Sequence, residues 1–501
     1  MRARRSTGDS STRWAMAERE LVFRDVDVDG RRVDVRVVGG RVAGVGPGLA
    51  PAPGTAVVDG GGGALLPGLH DHHLHLLAAA AARRSVAAGP PAVGDSAALA
   101  ATLGAADSEL APGRWIRAVG YHESVAGDLD RWALDALVHA RPVRVQHRSG
   151  ARWVLNSAAV QALGLDDPAV DHPGIERDGG GRASGRLHRA DAWLGARLRD
   201  EHRLRDEGTR LPDEGPPDLA ALGRALAARG VTGVTDTTPY RTVDDLAPLA
   251  AAVRDGALPQ RVIVTGDVAL AGVPAPDGLE QGPVKLVVDD ADYPSLADLS
   301  EDMRTAHRHG RNVAVHCVTR TALVLALAAW DEAGARSGDR VEHGAVVPPE
   351  LHPLLRRHGL TVVTQPGFVA ERGDEYRRAV DADDLPFLYP CRSLVEAGIP
   401  VGGSTDAPYS DLDPWRAVAA AVSRRTPSGT VLGPQEAVPA RRALDLFLSD
   451  PEAPGGPPRR VVAGAVADLC LLATPLAEAL AAPAAAQVVC TTRDGRLLDA
   501  S

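Results

Sequence analysis

Between residues 69 and 406 the chain carries eight short apolar runs, and most of the intervals between them read as amphipathic helix. The runs lie at 69–75, 230–236, 261–265, 284–288, 312–317, 340–343, 360–365 and 400–406. Runs this short, rich in β-branched residues and bounded by turn residues, read as buried strands, and strands that alternate with helices fold as parallel units. The steps from Lys285 to His316 and from His316 to His343 each have the length of one strand-plus-helix unit, and the step from His343 to Asp406 has the length of two. The expected fold class is therefore α/β, with a (β/α)8 TIM-like barrel over 67–454. One interval breaks the spacing. A large insertion after barrel strand 1, at 84–218, is expected to form a lid or substrate subdomain, because that end of a barrel strand hosts the site. Inside it, the charged, Gly- and Pro-rich stretch 203–217 reads as a flexible loop.

The two chain ends share a different pattern. Residues 20–65 alternate short β-like runs with Gly and Pro turns, and 468–472, 487–491 and 496–498 again read as short strands. Segments 19–66 and 455–501 are thus expected to pair into one small β-sandwich domain formed from both chain ends. The Arg-rich stretch 1–18 lacks the apolar core of a signal peptide and reads as a disordered extension, with Met16 as an alternative start.

Composition narrows the class of partner. With 45% hydrophobic and 24% charged residues, the 501-residue chain has an ordinary globular balance. A net charge of −10 without a basic cluster argues against a nucleic-acid or anionic-membrane partner and for a small-molecule substrate. The cysteines Cys317, Cys391, Cys470 and Cys490 show no CxxC and no framework spacing, which suits reduced thiols and a cytoplasmic location. No apolar stretch is long enough for a membrane span. A homo-oligomer is compatible with this composition.

The polar residues at the ends of these runs are what carry chemistry. In a strand, alternation puts His73 and His75 on one face with Asp71 and turns His70 and His72 to the other. Lys285, His316, His343 and Asp406 fall at the ends of later runs, so a barrel would gather them all at one mouth. Imidazole and carboxylate are the ligands of zinc and similar divalent ions, and this set could hold one or two. Lys285 is the single lysine among 55 basic side chains. Arginine stays protonated, whereas a buried lysine can lose its proton and react. A carbamate formed on Lys285 would bridge two ions about 3.5–4 Å apart.

The pattern PGLHDHHLH, followed by Lys285, His316 in VAVHC, His343 in VEHG and Asp406 in GGSTDAP, resembles the amidohydrolase superfamily, in particular its family 3 branch. The composite β domain with VADLCLL, and the insertion with LNSAAV at 155–160, fit the same resemblance. It implies that His73 and His75 bind one metal, that carboxylated Lys285 bridges, that His316 and His343 bind a second metal, and that Asp406 binds the first and acts as base. The implied reaction is hydrolysis of an amide or cyclic amide C–N bond by attack of metal-bound hydroxide. Two departures from the pattern bear on specificity. Ala151 stands where relatives often have histidine, with His147 four residues earlier, and Arg189 in SGRLHRAD stands where many have glutamate.

Candidate substrate contacts in the insertion are His122, Glu123, His147, Arg148 and Arg189. An arginine reaching the site would favour a carboxylate-bearing substrate. Two other readings remain open from sequence: a mononuclear heterocycle deaminase, with Lys285 an ordinary amine, and a non-catalytic relative retaining the fold for binding.

Overall fold

Two tight turns organise the start of the chain. Asp29 and Gly30, then Gly39 and Gly40, all take positive φ, the backbone sense that lets a two-residue loop follow strand twist. They join β1 (Glu20–Val28), β2 (Arg31–Val38) and β3 (Arg41–Gly46) into an antiparallel meander, and β4 (Ala56–Asp59) adds parallel to β1. The computed structural model describes residues 20–191, 193–198 and 217–500. The extension expected over 1–18, its alternative start Met16, and 203–216 of the expected flexible loop lie outside the described residues.

After β5 (Leu65–Pro67) the chain enters β6 (Leu69–Leu74), buried along its whole length, and then helix Leu76–Ala82. The insertion follows. Its strands β7 (Val86–Ala87), β8 (Ile116–Tyr121), β9 (Val143–His147), β10 (Arg152–Leu155), β11 (Ile175–Arg177) and β12 (Ala183–His188) form one mixed sheet in the order β11-β12-β10-β9-β8-β7. In the LNSAAV motif, Asn156 is a structural device. Its buried amide donates to the carbonyls of Val138 and Arg141 (both 2.8 Å) and accepts from Val143 N (2.9 Å) and Ala159 N (3.0 Å).

The remaining expected strands are all present and parallel. They are β13 (Val231–Asp236), β14 (Arg261–Val264), then a short extra strand β15 (Glu280–Gln281), followed by β16 (Val284–Val287), β17 (Val313–Cys317), β18 (Arg340–His343), β19 (Thr361–Thr364) and β20 (Val401–Gly403). Continuous burial of β6, β13, β18 and β19 is what a parallel sheet covered on both faces requires. Pairing divides these strands into two sheets, β6-β13-β14-β15 and β16-β17-β18-β19-β20, in place of one continuous ladder. The physical reason lies at the seams. Strand β15 takes the edge of β14, leaving Lys285 N bonded to Gly266 O (2.7 Å), and the chain beyond β20 meets β6 through Asp406 N to His73 O (2.8 Å) and His75 N to Ala407 O (2.9 Å).

The chain closes on β21 (Leu469–Leu472), β22 (Val488–Arg493) and β23 (Arg496–Leu497), which form one sheet with β5 in the order β23-β22-β21-β5. Leu21, Phe23, Val35 and Val37 from one end share an apolar cluster with Leu469 and Leu471 from the other. All four cysteines are free thiols. Among the described residues, no helix is long and apolar enough to cross a membrane.

Asp339, fully buried just before β18, holds the entry ends of two site-bearing strands. It accepts from Val313 N (3.0 Å), Arg336 N (2.9 Å), the Trp330 indole (3.0 Å) and His307 Nε2 (3.1 Å). Asp339→Ala strands these donors and is expected to cost about 3 kcal/mol of stability. Urea unfolding of the variant against the parent measures it.

Candidate active site

Each imidazole of the LHDHHLHL stretch is committed to a different neighbour. His70 Nε2 bonds Thr235 Oγ1 (3.0 Å) and His72 Nε2 bonds Ser449 Oγ (2.9 Å), so both rings are anchored on neighbours other than those of the site. Asp71 serves as a strut. Its carboxylate accepts from Thr405 Oγ1 (2.5 Å), Thr405 N (3.0 Å) and His73 N (3.2 Å), and burial pushes its pKa up to about 7. It thereby ties β6 to the turn that presents Asp406. His75 lies one residue beyond the strand, at the head of helix Leu76–Ala82.

Outer partners fix which nitrogen each remaining histidine offers. His73 Nδ1 bonds Glu342, whose other oxygen accepts from Arg340 Nε (2.6 Å). His75 Nδ1 bonds Thr238 Oγ1 (2.9 Å). His343 Nδ1 bonds Gln365 Oε1 (3.0 Å), and the Gln365 amide donates to Ser404 Oγ (2.9 Å). The Nε2 atoms of His73 and His75 then lie 3.6 and 3.3 Å from Asp406 Oδ1, while Asp406 Oδ2 is 3.8 Å from His343 Nδ1. The His316 ring stands 4.5 Å from that of His343, centroid to centroid. Glu342, Gln365 and Thr238 are functional neighbours that the sequence reading missed. Glu342 had a signal, a carboxylate directly beside His343 in the VEHG run.

Dehydration sets the protonation of this cluster. Burial, followed by the charge of Lys285, pushes the imidazoles of His73 and His316 well below their ordinary pKa; burial, then His316, takes His343 down to about 3. Burial also lowers the Lys285 amine, against the pull of Glu342 and Asp406. Neutral imidazole is the state that donates a lone pair. His343 and Asp406 both hold left-handed backbone (φ 67° and 59°), a strain that non-glycine residues accept at sites where side-chain aim matters.

This donor set fits a divalent ion. His73 Nε2, Lys285 Nζ and Asp406 Oδ1 are buried without a hydrogen-bond partner among the described residues, an arrangement proteins rarely tolerate without a further partner. His73, His343 and Asp406 offer ligand atoms all within 4.8 Å of one another. Two neutral nitrogens and a carboxylate are a common first set for such an ion.

The insertion brings His122, Glu123 and His147 together in a second cluster, also within 4.8 Å. Both histidines spend Nδ1 accepting a backbone N–H two residues on, from Ser124 (3.1 Å) and Ser149 (3.2 Å). Their neutral rings therefore carry the proton on Nε2, and His147 donates it to Glu123 (3.1 Å). That makes them hydrogen-bond donors, unsuited to ligating through Nε2. Arg148 pairs with Glu375 of helix Gly367–Ala379 (2.6 Å), and Arg189 pairs with Asp289 beyond β16.

Partners that orient metal-binding histidines tune affinity by about 10–100-fold. Glu342→Gln, which keeps the shape but removes the charge behind His73, is expected to weaken divalent-ion affinity about tenfold. Competition against a chelating dye measures the change.

Comparison with known proteins adds the family. Residues 56–499 match the model of the amidohydrolase family. An N-substituted formamide deformylase from Arthrobacter pascens is 26% identical over 490 residues, covering 86% of this chain and 89% of that one. A crystal structure of an uncharacterized metal-dependent hydrolase from Pyrococcus horikoshii OT3 superposes with a TM-score of 0.68 at 19% identity, covering 96% of this chain and 100% of that one. A similar uncharacterized hydrolase from Pyrococcus furiosus gives 0.64 at 20%, covering 90% and 98%. With the family match running from β4 through β23 and taking in every residue of the mouth, this chain belongs to the amidohydrolase family.

Proposed function

We propose that this chain is a divalent-metal-dependent hydrolase that cleaves a non-peptide C–N bond, an amide or cyclic amide, in a small molecule. The observation that carries the reading is the convergence of three buried, unpartnered donors, His73 Nε2, Lys285 Nζ and Asp406 Oδ1, beside His75, His316 and His343. Family membership and the likeness to a formamide deformylase support the bond type. We read the two parallel sheets as halves of one (β/α)8 barrel, with 84–218 as its lid or substrate-binding part.

His73, His75, His316, His343 and Asp406 would hold the ion or ions, zinc being the natural occupant of such a set. A carbamate on Lys285 would serve as a bridge if two are bound. A bound divalent ion supplies Lewis acidity, polarising the scissile carbonyl and bringing the pKa of water to about 7. Asp406 performs the proton transfer, accepting at its carboxylate from the attacking water and returning the proton to the leaving nitrogen. Its 3.3 Å approach to His75 and the Asp71–Thr405 strut hold that carboxylate at one place. Glu342 and Gln365 keep the His73 and His343 rings aimed while bonds change.

One observation favours the single-ion variant of this chemistry, heterocycle deamination. His73, His343 and Asp406 form a compact three-donor set that needs no contribution from Lys285.

Purified protein assayed for metal per chain and for amine release from N-substituted formamides and cyclic amides tests the proposal. Chelation is expected to abolish turnover, and added zinc to restore it. Asp406→Asn is expected to lower kcat by about 10²–10⁴-fold with metal content retained in part. Lys285→Arg keeps the charge but cannot form a carbamate. It is expected to drop metal content from two ions to one or none; two ions in Lys285→Arg would remove the bridge.

A further inference from the structure

His75 and His122 both stand at helix N-caps and use their rings differently. His122 caps helix Glu123–Ala126 itself, its Nδ1 accepting from Ser124 N (3.1 Å). His75 stands at the N-cap of helix Leu76–Ala82, yet its ring makes no capping bond, and its Nδ1 bonds Thr238 Oγ1 instead (2.9 Å). The cap comes from another strand. Asp236, the last residue of β13 and fully buried, accepts from Leu76 N at Oδ2 (2.9 Å). A carboxylate at this place does for the helix what an N-cap side chain ordinarily does.

The same carboxylate holds the residue that holds the His75 ring. Its Oδ1 accepts from Thr238 N (2.9 Å), and the Tyr240 phenol donates to Oδ2 (3.3 Å). Thr238 is fixed at its carbonyl as well, which accepts from Thr265 Oγ1 (2.9 Å) and Tyr240 N (2.8 Å). The β6–β13 ladder ends at the pair Leu74 and Asp236, one residue short of His75, and the Asp236 side chain carries the connection past that end. With donors on both oxygens, Asp236 is committed to the protein. It reaches His75 by the backbone at Leu76 and by the ring at Thr238.

We infer that Asp236 is a positioning residue for the ion, one that caps the helix in place of His75 and, through Thr238, holds that ring with Nε2 toward Asp406 (3.3 Å). The inference rests on reading His75 as a ligand of the proposed metal. Capping decides which nitrogen is free. A ring that accepts a backbone N–H at Nδ1 carries its neutral-state proton on Nε2, as His122 does. A threonine hydroxyl instead accepts from Nδ1–H and leaves the Nε2 lone pair available. Asp236 thereby lets a histidine occupy an N-cap and still ligate.

The test loads metal-free, full-length protein with cobalt(II), whose visible absorption changes with the set of ligands around it, so no turnover is needed. His75→Ala is expected to shift the bands of the parent. Asp236→Asn, which cannot accept both backbone N–H groups on separate oxygens, is expected to move them the same way and to weaken cobalt affinity about tenfold. In the His75→Ala background it is expected to bring no further loss of affinity. Thr238→Val is expected to weaken cobalt binding, and Thr238→Ser, which keeps the hydroxyl, to match the parent; this pair reads the ring route if Asp236→Asn fails to fold. Parent bands and affinity in folded Asp236→Asn, even with a lowered melting midpoint, overturn the positioning role. So does an equal loss of affinity with and without His75, or equal behaviour of Thr238→Val and Thr238→Ser. Failure of the metal reading looks different, and the inference falls with it: the parent takes up no cobalt, or His75→Ala leaves its bands in place. Cobalt bound through His75 in the parent, with no dependence on Asp236, removes the positioning role alone.

Discussion

The buried carboxylate of Asp71 is the interaction on which the mouth depends. His73 belongs to β6, with His75 just beyond it, and Asp406 to the turn after β20, far apart in sequence, and no continuous ladder joins those strands. Asp71 supplies the join, reaching from β6 to the backbone and hydroxyl of Thr405. The adjacent backbone bonds between Asp406 and His73, and between His75 and Ala407, complete the seam. A left-handed Asp406 cannot sit in a regular strand, so the same feature that breaks the ladder turns its carboxylate inward toward His73 and His75.

Dehydration then decides what the gathered groups can do. Burial keeps the imidazoles neutral, which frees their lone pairs, and it depresses the only lysine. Carboxylates are harder to bury, and the structure compensates each differently. Glu342 shares its charge between Arg340 and His73, and Asp71 is satisfied by two N–H donors and a hydroxyl. Asp406 Oδ1 is buried without a hydrogen bond among the described residues, and that oxygen faces two imidazoles. A pairing of this kind is stable when a cation sits among the donors and costly otherwise.

Much of this was legible in the sequence because strand periodicity and residue chemistry are local properties. The eight runs became eight parallel strands within a few residues of their expected limits, and Lys285, unique in the chain, lies buried among the histidines. What was illegible depended on tertiary neighbours. Alternation placed Asp71 with His73 and His75, but only the approach of Thr405 shows that its carboxylate is spent on the backbone. Glu342 is one carboxylate among 65 acidic residues until the fold sets His73 against it. The His-x-Ser spacing at 122–124 and 147–149 was visible, yet the tautomer it imposes follows from backbone N–H groups that no pattern of side chains reveals.

The cohesion of the insertion against the two parallel sheets and their helices differs in kind from the cohesion within each. Among the described residues, the apolar clusters inside 86–198 contain no residue of the two parallel sheets, and the large cluster around those sheets contains none of the insertion. Across the seam run the pairs Arg148–Glu375 and Arg189–Asp289, the carbonyl of Arg148 facing Arg372, and the packing of Gly150 on Tyr409. Polar, partly solvated contacts are individually weak and are screened by salt, whereas apolar cores are neither. Salt therefore weakens the contacts across this seam more than the cores on either side of it, and one of them, Gly150 on Tyr409, reaches the residue whose ring stands 5.4 Å from that of His75.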